Sequence, residues 1–126
     1  MTPEGLRYTK DHEWAKKDGE LVTVGITHYA QDQLGDVVFV ELPAVGKKVE
    51  AGDTFGVVEA VKTVSDLFAP VGGTIVEVNA ALGAEPGLVN QSPYEGGWMI
   101  RIRPANPAEV DTLLDAKGYS SLLETH

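Results

Sequence analysis

The sequence of 126 residues suits one domain, and a chain of this size buries roughly two-thirds of the surface that it exposes when unfolded. Its net charge of -9 argues against nucleic-acid binding, which needs clustered Lys and Arg. The absence of cysteine excludes disulfides, thiolate nucleophiles and cysteine-ligated metals. No apolar run approaches the roughly 20 residues of a membrane-spanning helix, and no signal or transit pattern precedes Tyr8, so we expect the start of a mature protein.

Strand signals dominate the first hundred residues, as alternating apolar positions or short β-branched runs between Gly and Pro. In chain order the predicted strands contain Val22, Val24 and Ile26; residues 37 to 40; Phe55, Val57, Val58 and Val61; Leu67 and Phe68; Ile75, Val76 and Val78; and Trp98, Met99, Ile100 and Ile102. Turn pairs such as Leu42-Pro43, Ala69-Pro70 and Gly96-Gly97 separate them. The pattern predicts a mainly β sandwich or barrel.

Two short helices are expected within this β pattern. The first covers residues 28 to 34, with Thr27 as the N-cap and Gly35 as its stop. The second is C-terminal: Asn106 caps it, Pro107 takes its first position, and Val110, Leu113 and Leu114 form an apolar stripe. Lys117-Gly118 is expected to end this helix, and a final turn over residues 120 to 123 is expected to pack beside it or to fray.

The segment that carries chemistry is GVVEAVKTVSDLFAPVGGTIVEVN, which places Lys62 between two β-like runs, at the expected tip of a hairpin. An isolated turn lysine is ordinarily a solvated surface residue. Here the surrounding letters resemble the lipoyl-attachment signature of glycine cleavage H proteins. The blocks YTKDHEW, VGITHYAQDQLGDVVFVELPAVG and PGLVNQSPYEGGW resemble the same family in its order and spacing, and together they cover nearly the whole chain.

The resemblance implies a lipoyl/biotinyl-domain-like β-sandwich, or hybrid barrel, formed by residues 1–126 as a single carrier domain with terminal extensions. It also implies a lipoate attached through an amide to Lys62, with no catalysis by the polypeptide itself. The family shuttles an aminomethyl group from glycine decarboxylase (P protein) to an aminomethyltransferase (T protein). It then delivers electrons to dihydrolipoyl dehydrogenase (L protein). Lipoylating enzymes are implied as further partners, and we expect a monomer in the bacterial cytoplasm, or in the mitochondrial matrix for an organellar form.

Acidic residues of the family pattern are candidates for a cleft that holds the loaded arm. Glu13 and Asp66 could attract the cationic aminomethyl group, because opposite charges attract strongly where water is partly excluded. The alternatives are a surface carboxylate for Glu13 and, for Asp66, a role beside Ser65 in organising the hairpin. Glu59 is a candidate for recognition by the lipoylating enzyme, or equally an outward-facing strand carboxylate.

The departures from the family leave some alternatives open. Ala60 replaces the usual Ser and Thr63-Val64 replaces a smaller pair beside the lysine, which puts the contacts of the lipoylating enzyme in doubt. Scattered histidines at positions 12, 28 and 126 do not predict a metal site. A biotin carrier is disfavoured because Val61 and Thr63 stand where its flanking Met residues would be. A lipoyl domain of a 2-oxo acid dehydrogenase would carry a DKA pattern, which is absent. An H-like protein acting in lipoate distribution remains an alternative.

Overall fold

The computed structural model describes residues 3–124, which form nine strands and several short helices. The strands are β1 Arg7–Tyr8, β2 Glu13–Asp18, β3 Leu21–Ile26, β4 Val37–Glu41, β5 Lys48–Val49, β6 Thr54–Ala60, β7 Val64–Phe68, β8 Gly73–Val78 and β9 Ile100–Pro104. The helices are α1 His28–Leu34, α2 Ala81–Ala84, α3 Leu88–Gln91 and α4 Ala116–Glu124, with a 3-10 helix at Pro107–Thr112. The predicted mainly β class with a C-terminal helix is confirmed.

The strands form two antiparallel sheets that share one core. The larger sheet has the order β1-β2-β3-β9-β8-β5, and the smaller has the order β4-β6-β7. Val24 and Ile102 of the larger sheet belong to the same buried cluster as Val58 and Leu67 of the smaller one. Full burial of each such side chain is worth about 1.5–3 kcal/mol, so the core holds β6 and β7 firmly in place.

Helix α1 forms as its sequence predicts. The Thr27 hydroxyl accepts a hydrogen bond from the backbone N–H of Ala30 at 3.2 Å, which satisfies one donor of the first turn. Gly35 ends the helix with φ 80°, and its N–H donates to the carbonyl of Gln31 at 3.0 Å. The side chains of Gln31 and Leu34 are buried, so α1 packs against the core beside β4.

The predicted C-terminal helix was wrong in its extent. A 3-10 helix beginning at Pro107 ends at Thr112, and Leu114 then pairs with Tyr8 through backbone hydrogen bonds of 2.7 and 2.9 Å. Helix α4 begins afterwards, where the Asp115 carboxylate accepts from the N–H of Gly118 at 2.8 Å. Gly118 therefore lies inside α4, and the expected separate turn at residues 120–123 belongs to that helix.

A smaller aromatic cluster packs α4 against β1 and β2. The rings of Tyr8 and Tyr119 stack with 4.7 Å between their centroids. Trp14 lies over Gly25, where a side chain would collide with the indole, and its Nε1 donates to the carbonyl of Pro93 at 2.9 Å. These contacts fix the strand position of the neighbouring residue Glu13.

Candidate functional site

Lys62 lies at the tip of the β6–β7 hairpin, as predicted from the sequence. Glu59 and Val64 form the last residue pair of the ladder, and the N–H of Ala60 donates to the carbonyl of Thr63 at 2.8 Å. Val61 and Lys62 are therefore the two residues of the tip, and both are exposed. Val61, expected within a strand, lies just beyond β6. The hairpin thus presents the lysine amine on a rigid base.

The tip rests on the loop between α1 and β4. The N–H of Val61 donates to the carbonyl of Asp36 at 2.9 Å. The Lys62 stem lies over Gly35, where an added Cβ would approach Cδ and Cε of the lysine to 3.3 Å. Gly35 therefore meets two requirements, since its backbone needs a positive φ and its lack of a side chain leaves room for the lysine.

A cleft of about 370 Å³ runs between β7, α1 and the start of β2. Its walls combine apolar groups with a few polar ones. The apolar lining residues include Ile26, Ala30, Leu34, Val58 and Leu67. The polar lining includes three candidates from the sequence, Glu13, Ser65 and Asp66. The fold thus brings these three residues together beside the lysine hairpin, although they are far apart in sequence.

Glu13 is the buried acid of this cleft. Only 2% of the Glu13 surface is exposed to solvent. One carboxylate oxygen accepts from the Thr9 hydroxyl at 2.8 Å, and the other accepts from the N–H of Phe68 at 3.3 Å. The pKa of Glu13 is raised to about 8, mainly by burial; the hydrogen bonds from Thr9 and Phe68 oppose the rise, and the nearby Asp11 carboxylate adds a smaller contribution to it. An acid with this pKa is mostly protonated at neutral pH.

Ser65 and Asp66 contribute to the cleft in different ways. Ser65 pairs with Val58, whose side chain is buried, whereas Asp66 pairs with Val57 on the other face of the sheet. The hydrogen bond between Ala60 and Thr63 sets the alternation along this ladder. It directs the backbone N–H and C=O of Asp66 away from β6, along the edge that borders the cleft. The Asp66 carboxylate therefore projects from the face opposite to that of Ser65.

Glu59 lies outside the cleft. Its ladder partners are Phe39 on β4 and Val64 on β7, so these three residues form one row on the outer face of the smaller sheet. Phe39 is 49% exposed and Val64 is 61% exposed. The row sits directly below the hairpin tip; Val64 at one end of it also lines the cleft, whereas the recognition candidate Glu59 does not.

Two kinds of feature are absent from residues 3–124: a helix long and apolar enough to cross a membrane, and a group of three acidic or imidazole side chains able to hold a metal ion. His12 Nδ1 lies 2.7 Å from the Tyr119 hydroxyl, and His28 Nδ1 lies 3.1 Å from the Gln31 amide nitrogen. His126 lies outside the described residues.

Asn90 is a structurally important residue that the sequence interpretation did not single out. It lies on α3, a helix that was not predicted, and its side chain hydrogen-bonds the loop beneath Lys62. Its only signal in the sequence is its place in the block PGLVNQSPYEGGW, because the contacts themselves join residues more than 50 positions apart.

Comparison with known proteins agrees with this arrangement. A family model described as Glycine cleavage H-protein matches residues 6–126. The glycine cleavage system H protein of Thermus thermophilus is 58% identical over 123 residues, covering 98% of this chain and 96% of its own. That of Geobacillus kaustophilus is 56% identical over 122 residues, covering 97% and 96%. The crystal structure of the H protein from Mycobacterium marinum superposes with a TM-score of 0.89 at 44% identity, covering 97% and 98%. The chain therefore belongs to the glycine cleavage H-protein family.

Proposed function

We propose that Lys62 bears a lipoyl group in amide linkage and that residues 1–126 act as a single carrier domain of the glycine cleavage system. The observation that carries the proposal is the position of Lys62, an exposed amine on a rigid hairpin tip beside a cleft. Family membership supports the lipoyl-carrier role. The chain's own part is to bind and present the arm, while the catalytic chemistry belongs to its partners.

The residues of the cleft fit such an arm. The apolar side chains of Leu34, Val58 and Leu67 match an alkyl chain, and Glu13 offers a polar group at one end of the cleft. When bound, the lipoyl group supplies a dithiolane that accepts an aminomethyl group and afterwards returns electrons. Without such an occupant, the cleft would leave apolar walls in contact with water, which costs free energy.

Glu13 gives the cleft a preference for a cationic occupant. In the empty cleft, burial favours the neutral acid, as the raised pKa of about 8 indicates. A protonated amine beside Glu13 favours the carboxylate instead, because two opposite charges attract strongly in a partly dry site. Glu13 therefore stabilises an arm that ends in an amine more than one that ends in a disulfide.

Acylation of Lys62 changes the electrostatics of this end of the protein. Lys62 is the only lysine or arginine between residues 49 and 100, and residues 18–46 contain neither. Amide formation removes this isolated positive charge. The arm then stands on a surface whose ionisable groups are largely acidic, including Asp36 and Glu59. Partners with basic rims are attracted to such a surface.

The outer row beside the tip is a recognition surface for those partners. Phe39 and Val64 supply exposed apolar area, and Glu59 between them supplies a negative charge that sets how a partner aligns on the row. We assign this surface to the lipoylating enzymes, to the P protein glycine decarboxylase, to the T protein aminomethyltransferase and to the L protein dihydrolipoyl dehydrogenase. The chain would act as a monomer. Its location would be the bacterial cytoplasm, since its relatives named above are bacterial.

The proposal is tested by incubating the protein with a lipoate ligase, lipoate and ATP, followed by intact-mass measurement and peptide mapping. One lipoyl group at Lys62 is the expected product. Lys48→Ala, a control that removes another strand-end lysine, should be modified normally, whereas Lys62→Ala should remain unmodified. Modification of Lys62→Ala at a different lysine would overturn the assignment. Reconstituted glycine decarboxylation with the lipoylated protein separates a role in glycine cleavage from one in lipoate distribution.

A further inference from the structure

Asn90 joins α3 to the loop between α1 and β4 through both ends of its side-chain amide. Its Nδ2 donates to the carbonyl of Gly35 at 2.8 Å and to Gln31 Oε1 at 3.0 Å. Its Oδ1 accepts from the backbone N–H of Val37 at 2.9 Å. One side chain therefore satisfies a backbone acceptor and a backbone donor on the two sides of Asp36.

Asp36, the residue between those two bonds, anchors the lysine hairpin. Its carbonyl accepts the hydrogen bond from Val61, the first residue of the tip. Gly35, on its other side, lies under the Lys62 stem. The chain of contacts therefore runs from Asn90, through the loop, to the residue that carries the amine.

The loop between α1 and β4 is two residues long, and Asn90 bonds the backbone at both of its ends. Val37 pairs with Ala60 at the end of the β4–β6 ladder, and the ladder is irregular immediately afterwards. Without the amide, the Gly35 carbonyl and the Val37 N–H would have to find other partners, and a partly buried polar group left without one is costly. Mobility of this loop would pass directly to the hairpin tip.

We propose that Asn90 is a positioning residue for lipoylation: by holding the Gly35–Val37 loop, it makes the hairpin present the Lys62 amine in one orientation to the lipoylating enzyme. This inference rests on the proposed function of Lys62. It adds a determinant from α3, 28 positions further along the chain, to the segment around the lysine that resembles the attachment signature.

The protein contains a matched control for this proposal. Asn79 is a buried asparagine, whereas Asn90 is half-buried, and the Nδ2 of Asn79 likewise donates to two acceptors, the carbonyls of Gly96 and Trp98, at 2.9 and 2.8 Å. Its Oδ1 accepts from the N–H of Ala81 at 3.2 Å. Asn79 therefore donates two hydrogen bonds and accepts one, as Asn90 does, but its three partners are backbone groups of residues 81, 96 and 98 rather than of the loop beneath Lys62.

The experiment compares Asn90→Asp with Asn79→Asp, each of which removes two donors and keeps the shape of the side chain. Both should lower the melting temperature by similar amounts. Only Asn90→Asp should reduce kcat/KM for lipoylation, by about tenfold, and increase amide hydrogen exchange at Val61 by a similar factor. Lipoylation and Val61 exchange that stay within twofold of the parent, or an equal loss in Asn79→Asp, would overturn the proposal.

A milder variant keeps the test decisive if Asn90→Asp does not fold. Gln31→Met removes the acceptor that orients the Asn90 amide and retains a residue that favours helix. It should shift Val61 exchange and lipoylation in the same direction by a smaller factor, and no shift in either would contradict the role of Asn90. If the parent protein accepted no lipoate at Lys62, the proposed function would fail, whereas Val61 exchange would still report whether Asn90 holds the hairpin.

Discussion

Glu13 and Phe68 link the two sheets across the cleft, through a hydrogen bond of 3.3 Å from the Phe68 N–H to the Glu13 carboxylate. This contact uses a backbone donor on the free edge of β7 and an acid at the start of β2. Because the acid is buried, its proton is coupled to folding as well as to what enters the cleft. The same residue therefore has measurable effects on the empty protein and on the loaded one.

The first prediction concerns stability against pH. The folded pKa of Glu13, about 8, lies above its ordinary value of 4.5, so the folded state retains a proton that the unfolded state releases. The contribution of this group is full below pH 4.5 and is lost as pH rises to 8, with a slope of up to about 1.4 kcal/mol per pH unit. In urea unfolding, the unfolding free energy of the parent should therefore fall relative to that of Glu13→Gln as pH rises from 4.5 to 8.

The control for this measurement is Glu59→Gln, which removes one exposed carboxylate from the neighbouring sheet face. Glu59→Gln changes the net charge by one unit, as Glu13→Gln does, and so shows how much of the effect comes from net charge alone. A difference between the parent and Glu13→Gln that stayed constant from pH 4.5 to 8 would show that Glu13 does not hold its proton in the folded state.

Local signals predicted the elements whose contacts are close in sequence. Helix α1 begins after Thr27 and ends before Gly35 as expected, since each cap makes its hydrogen bond with a residue of the same helix. The C-terminal region failed because Leu114, assigned to a helical stripe, pairs instead with Tyr8, a residue from the other end of the chain. Gly118 was taken as a stop, whereas Asp115 three residues earlier caps the start of α4.

In the candidate site, too, local features were predicted and contacts between distant residues were not. The sequence of the hairpin predicted Lys62 at its tip, because a turn between two strands is a local feature. The burial of Glu13 was not predictable from its neighbours, since it depends on packing against β7. Asn90 was missed because its partners are defined only once α3 packs beside the loop after α1. Contacts of this kind cannot be read from spacing along one chain.

The second prediction is that Lys62→Arg cannot be lipoylated but folds as stably as the parent. A guanidinium is not acylated under conditions that acylate an amine, and an exposed tip contributes little to the core. The unfolding free energy should change by less than about 0.5 kcal/mol. Intact mass after incubation with the ligase and a thermal melt provide the two measurements; a large loss of stability would contradict the exposed-tip geometry.

The third prediction separates the two roles of Gly35. Gly35→Ala and Gly46→Ala both place a side chain at a positive φ, of 80° and 98°, and each should cost about 1–3 kcal/mol of stability. Only Gly35→Ala adds a methyl group beneath the Lys62 stem, since the space around Gly46 is open. Chemical shifts of the lysine side chain and the rate of lipoylation should therefore change in Gly35→Ala alone. Equal changes in both variants would exclude a specific contact.

The fourth prediction tests the outer row. Phe39→Thr removes an exposed aromatic beside Glu59 while keeping a residue that favours strands. We expect KM for the lipoylating enzyme to rise about fivefold to tenfold with kcat unchanged, because aromatic anchors contribute much of the affinity at interfaces. Val45→Thr is the control, since Val45 is 59% exposed but lies outside this row. The assignment of the surface would be lost if the two variants behaved alike.

The last prediction concerns the loaded arm, for which Glu13 supplies the only buried carboxylate among the described residues that line the cleft. A charge-assisted hydrogen bond from the amine to this carboxylate stabilises the bound arm, and its removal should shorten the lifetime of the aminomethyl-loaded protein by roughly tenfold. Glu13→Ala should accept lipoate normally, lose the aminomethyl group faster to water, and be reoxidised normally in its unloaded form. Glu59→Gln is the matched control, because it removes one carboxylate at a residue that does not line the cleft. Its loaded lifetime should equal that of the parent, and an unchanged lifetime in Glu13→Ala would reduce Glu13 to a structural link between β2 and β7.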